Sequence, residues 1–214
     1  MLCDRFFSCS MLPLEAATMS NSSAPMTPAL ERALAASAAG HVQEAVALFR
    51  QAAREQPDSA VPHFLMGAEY ATEGRVDEAE QCFSQAVLLA PQWPIPRYQL
   101  GLLQFSAGRA STALLTWQPL LALGDDSPLP HWIRGFAALA GDDFAHARAA
   151  FEAGLERNTE HPPMSADIRL VLARMDALGQ GSAAPVPDSG DAAAADEEAT
   201  HVLLSNYQQQ GPVH

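Results

Sequence analysis

The chain has 214 residues, 48% of them apolar, which is material enough for one core with tails. Acids outnumber bases by 25 to 12, for a formal net charge of -13. That balance excludes a nucleic-acid binder, because phosphate recognition needs clustered cations that displace counterions, and it speaks equally against anionic membrane surfaces. Every base is an arginine, so Schiff-base lysines, lysine nucleophiles and the lysine of a phosphate-binding loop are all excluded. Together with heavy use of alanine, this composition points to a GC-rich bacterial coding bias.

Residues 1–25 open with MLCDRFFSCSMLPLEAAT, whose apolar run is short and is broken by Ser8, Ser10 and Pro13. It lacks the longer clean apolar centre of a secretory signal. Met19, followed by SNSSAP, offers an alternative start, and the segment reads as a disordered or mis-annotated extension. No stretch reaches the roughly 18 uninterrupted apolar residues of a membrane span. Cys3, Cys9 and Cys82 form no CxxC pair and no zinc spacing, so neither a disulfide framework nor a metal site is expected. The cytoplasm is the expected compartment, ahead of the periplasm.

From residue 26 the chain repeats itself. VPHFLMG (61–67), IPRYQLG (95–101) and LPHWIRG (129–135) recur at a step of 34 residues, and TPALERA (27–33) is a worn copy one step earlier. Ala33, Gly67, Gly101 and Gly135 make one column. Ala45, Ala79, Ala113 and Ala147 make a second, and Phe49, Phe83, Trp117 and Phe151 a third. Pro28, Pro62, Pro96 and Pro130 sit where a first-turn proline loses no hydrogen bond, so each marks a helix start. About twelve residues on, Gly40, Gly74 and Gly108, with Gly141 one place early, suit the left-handed backbone that turns a chain back. A second helix follows, with its Ala-x-x-x-aromatic pair on one face. Burial of each such ring should contribute ~1.5–3 kcal/mol. One helix pair cannot bury its own faces, so four must stack.

The 34-residue period, with LMGAEY, EAEQCF and AP at 65–91 and QLGLLQF with TALLTW at 99–117, resembles the tetratricopeptide repeat. The resemblance covers about residues 26–161 and implies an all-α, right-handed solenoid of four helix-turn-helix repeats, at about 26–59, 60–93, 94–127 and 128–161. Departures are the alanines Ala29, Ala33 and Ala36 in the first copy, Asp125 in place of a closing proline in the third, and Gly154 and Thr159 in the fourth. SADIRLVLARMDAL (165–178), with Ile168, Val171, Leu172, Met175 and Leu178 on one stripe, reads as a capping helix that closes the array at 178. Residues 179–199 are Gly, Pro, Ala and acid, the composition of a disordered linker. The tail 200–214 restores apolar character at Val202, Leu203, Leu204 and Tyr207.

Members of the resembled family hold a peptide or a helix on the inner wall made by their first helices. Helical spacing assigns to that wall Leu30 and Leu34, Phe64 and Ala68, then Tyr98, Leu102 and Phe105, then Trp132, Phe136 and Leu139. For any single ring, packing between repeats is the commoner role. As a set on one concavity they exceed what a core requires, and a wide apolar groove is usually a partner site or is covered. The family's carboxylate-gripping variant uses lysines, arginines and asparagines on this wall, and Leu, Ala and aromatics stand there instead. The expected function is a non-enzymatic adaptor or scaffold binding an apolar peptide or helix. Its groove would be covered at times by the tail residues Val202, Leu203, Leu204 and Tyr207, within reach across a flexible linker of r.m.s. span ~25 Å. A single-client secretion or assembly chaperone is the alternative.

Nothing in the sequence calls for a cofactor or a metal. His63 and His131 share a column with Arg97, so that place asks for a long polar side chain, not a ligand, and His41, His146 and His161 have no partner at ligand spacing. Asp125-Asp126 and Asp142-Asp143 fall at turns before helices, where carboxylates cap free N–H groups. No GxSxG, HExxH, phosphate-loop or dinucleotide motif occurs.

Overall fold

The structure is a computed structural model that describes residues 26–159 and 161–181. The extension 1–25, most of the linker 179–199 and the tail 200–214, with Val202, Leu203, Leu204 and Tyr207, lie outside the described residues, as does the Leu178 side chain.

Four helix pairs follow one another: α1 Pro28–Ala38 with α2 Val42–Glu55, α3 Val61–Thr72 with α4 Val76–Leu89, α5 Pro94–Ser106 with α6 Ala110–Trp117, and α7 Pro128–Ala140 with α8 Phe144–Arg157. A 3-10 helix, Gln118–Ala122, continues α6, and α9 spans Pro162–Gly181. No strand occurs among the described residues. The second helices begin at 42, 76, 110 and 144, so the 34-residue period of the sequence is the period of the fold. Each helix packs on the next, which makes an all-α solenoid.

The small-residue and aromatic columns explain the pairing. A Cβ at Gly67 would stand 2.7 Å from the Phe83 ring, at Gly101 2.2 Å from the Trp117 indole nitrogen, and at Gly135 2.6 Å from Phe151. The rings therefore occupy the space that a side chain on the first helix would take. Ala45, Ala79, Ala113 and Ala147 are all fully buried beside them. Trp117 also donates its indole N–H to the Tyr98 carbonyl oxygen at 2.9 Å, so its polar edge is satisfied inside the core.

The turn glycines behave as expected at three places. Gly40, Gly74 and Gly108 have φ of 75°, 72° and 76°. In the fourth pair the left-handed residue is Asp142, with φ 57°, and not Gly141. The backbone conformation keeps strict 34-residue register with Gly108, and aspartate tolerates the left-handed region better than most side chains. Thr27 caps α1 by accepting from the Leu30 N–H at 3.2 Å, and Asp143 caps α8 by accepting from the His146 N–H at 3.1 Å. That backbone donor holds the Asp143 carboxyl below its ordinary range.

Neighbouring pairs are pinned by polar contacts at their edges. Arg50 donates to the Tyr70 hydroxyl at 3.0 Å. Arg109 and Gln104 both donate to Glu80, at 2.6 and 3.0 Å, and the Arg109 contact keeps the Glu80 carboxyl ionised below the usual range. Arg157 donates to the Asp125 carbonyl oxygen at 2.8 Å.

Helix α9 is longer than the 165–178 cap expected from sequence, because Pro162 and Pro163 fall in its first turn. Met164, Ile168, Val171 and Met175 are its buried stripe, and Leu172 is half-buried at its edge. Arg148 of α8 is hydrogen-bonded to Asp176, and Asn158 to Ser165 at 2.7 Å.

Candidate functional site

The ten side chains expected on the inner wall divide into two groups. Leu30, Phe64, Tyr98, Leu102, Trp132 and Phe136 are buried, none more than 4% exposed, and belong to the core. Leu34, Ala68, Phe105 and Leu139 are half-buried and reach solvent.

The physical reason is aromatic packing between pairs. Phe64 meets Phe83 at 5.8 Å and Trp93 at 4.9 Å between ring centres, so the chain between α4 and α5 closes over it. Tyr98 lies 6.0 Å from Trp117 and 5.9 Å from Trp132. Phe136 lies 5.2 Å from Trp117, 5.0 Å from Phe151 and 5.0 Å from Phe105. These are the separations of packed rings, not of an open wall. The Tyr98 phenol is pushed up by burial, and the Asp167 carboxyl of α9 adds to the effect from nearby. The rings that suggested a need for a cover are thus already inside, and the accessible strip is narrower and more aliphatic than expected.

The histidine column behaves as a polar position. His63 is half-buried, and desolvation lowers its pKa, while His131 Nε2 lies 3.0 Å from the Asp125 carbonyl oxygen. Among the described residues, no three His, Cys, Asp or Glu side chains are grouped to hold a metal ion. Cys82 is free and half-buried, with its thiol pushed up by desolvation, which lowers its reactivity. No described helix is long and apolar enough to cross a membrane.

Sequence reasoning missed one surface. At the junction between α6 and α7 an open trough of about 480 Å³ is lined by Ser111, Leu114, Leu115, Gln118, Leu121, Ile133, Arg134 and Ala137. Leu115 is 72% exposed and Leu121 41%. The signal was present in Pro119. Helices end at or before the residue preceding a proline, so α6 stops after eight residues where α2, α4 and α8 run fourteen.

Residues 36–105 match the family model of the tetratricopeptide repeat. That segment is a tetratricopeptide repeat (TPR) segment, and the helix pairs beyond it keep its 34-residue period. Solved structures share its fold. MamA is 17% identical with a TM-score of 0.52, over 60% of this chain and 75% of that one. A thermophilic TPR protein of Thermus thermophilus is 18% identical with a TM-score of 0.52, over 68% and 78%. MamA from residue 41 to its end, from Desulfovibrio magneticus, is 14% identical with a TM-score of 0.53, over 75% and 100%. At these identities the likeness is one of fold. No curated protein matches the chain in sequence.

Proposed function

We propose that the TPR array is a non-enzymatic adaptor or scaffold that holds an apolar peptide or helix along the wall of its first helices. The observation that carries this reading is the half-buried strip of Leu34, Ala68, Phe105 and Leu139, one position from each first helix, left uncovered among the described residues. Phe105 and Leu139 are the anchors, since an aromatic or aliphatic side chain already seated at its base loses little entropy on contact. The buried rings behind them, Tyr98, Trp132 and Phe136, hold that strip rigid and do not touch the ligand. The acidic balance of the chain favours a partner with basic flanks around its apolar centre.

The test is affinity capture with the wild-type chain and with Phe105→Glu plus Leu139→Glu, each first checked for native helicity. Specific loss of the same partners with the variant supports the reading, and retention of every partner refutes it. Should the chain instead raise the solubility of one co-expressed protein without forming a lasting complex, the chaperone alternative replaces the scaffold.

A further inference from the structure

We infer that the trough between α6 and α7 is a docking site for the chain's own C-terminal segment, Val202 to Tyr207. It is separate from the wall on which a partner would bind. Three observations lead there. First, the trough is apolar on both sides, with Leu114, Leu115 and Leu121 facing Ile133 and Ala137, and its lip leucines are left open where every ring of the inner wall is at least half-covered. Single exposed leucines need no explanation, but contiguous ones around a concavity mark an interaction surface.

Second, the chain beyond α9 carries one compact apolar cluster, Val202, Leu203, Leu204 and Tyr207, in which 203 with 207 and 204 with 207 have the spacing of a shared helical face. About twenty residues separate Gly181 from Val202, a length of chain that can span at most ~70 Å. Helix α9 packs on α8 and α8 on α7, so the trough lies two to three helix spacings away, roughly 20–30 Å. The segment is long enough to reach it, and being on the same chain makes the encounter intramolecular, which favours docking over capture of a free peptide.

Third, the charges match. Asp196, Glu197 and Glu198 immediately precede the apolar cluster, and Arg134 is the basic residue lining the trough. Arg134 is held only loosely, 3.9 Å from a well-exposed Asp125 carboxylate, so it is free to take a new acid at small cost.

Hydrogen–deuterium exchange on the full chain tests the assignment. Backbone amides of residues 202–207 should exchange roughly tenfold or more slowly than in the Leu203→Asp, Leu204→Asp variant. The same protection should vanish in Leu115→Asp plus Leu121→Asp, which alters only exposed side chains and should leave the helical signal intact. Arg134→Glu should weaken it, and Glu197→Arg with Glu198→Arg should restore it. Exchange of 202–207 at the free-peptide rate in the wild type overturns the proposal. So does protection that survives the trough variant, which would place the segment elsewhere, or protection that grows with protein concentration, which would place it on a second copy.

Discussion

Gly154 lacks a side chain where Trp132 needs the room: a Cβ at 154 would stand 2.3 Å from the indole Nε1 and 3.1 Å from the Pro128 carbonyl oxygen. The matching places in the first two pairs are Ala52 and Ala86, and the column of Trp132 holds the smaller Leu30 and Phe64 there. The departure from the repeat pattern at 154 is therefore the complement of a tryptophan on the facing helix. Gly154→Ala should destabilise the array by about 1–3 kcal/mol through overpacking. Adding Trp132→Phe should return part of that loss, because the two changes share one space. Chemical denaturation of the single and double variants measures the coupling, and strict additivity would show that the two positions do not compete.

Gly101 is under a tighter constraint. Its missing Cβ makes way for the Trp117 indole, and that indole is itself hydrogen-bonded to the Tyr98 carbonyl oxygen. Gly101→Ala should cost about 2–4 kcal/mol, combining overpacking with a displaced buried donor. Gly124→Ala, with nothing within 4 Å, is the control and should stay within about 0.5 kcal/mol.

The turn between α7 and α8 places its left-handed residue at Asp142, so glycine is absent where the backbone would use it best. Asp142→Gly should raise stability by about 0.5–1 kcal/mol, while Gly74→Ala, at φ 72°, should lower it by about 1 kcal/mol. Thermal melts of both variants check the signs. A destabilising Asp142→Gly would mean that the Asp142 side chain contributes more than its backbone strain costs.

Desolvation raises the Asp167 carboxyl from its ordinary 3.8 to about 6 in the folded chain. A raised acid favours folding most where it is protonated. Its contribution is present below about pH 4 and is lost as pH rises through 6. Since the group still meets water, the loss should be about 1–2 kcal/mol rather than the larger value its full shift implies. Asp167→Asn should therefore be more stable than wild type at pH 7 and nearly equal to it at pH 4. The difference between the two proteins isolates this group from Glu80 and Asp143, whose lowered values act in the opposite direction. A constant difference across that range would assign the effect to packing.

The period, the first-turn prolines and the Ala-x-x-x-aromatic columns were legible because each is a local pattern repeated in phase. The inner wall was less so. Phe64 and Gly67 are three residues apart on α3 and lie toward the same packed side, since Phe64 contacts the Phe83 ring that fills the space at Gly67. A first helix in a stack is covered by its own partner and by the preceding pair, so only a narrow strip stays open. Helical spacing gives an angle, and the width of that strip depends on neighbours such as Trp93, which no periodic column includes. The trough was missed for another reason. The Ala113 and Trp117 columns hold their register up to the point where Pro119 ends α6, so the repeat looks intact in sequence while the helix behind it is short.

Helix α5 belongs to two cores at once. Leu100 and Leu103 face the cluster built on the first two pairs, and Tyr98 and Leu102 face the one that runs on to Met175. In a linear stack, where each unit senses only its neighbours, such a helix is the coupling constant of the whole array. Strengthening it would make the two halves melt as one, and weakening it would let either half fray while the other stands. Cooperation between the two halves of the described array thus runs through the thirteen residues Pro94–Ser106.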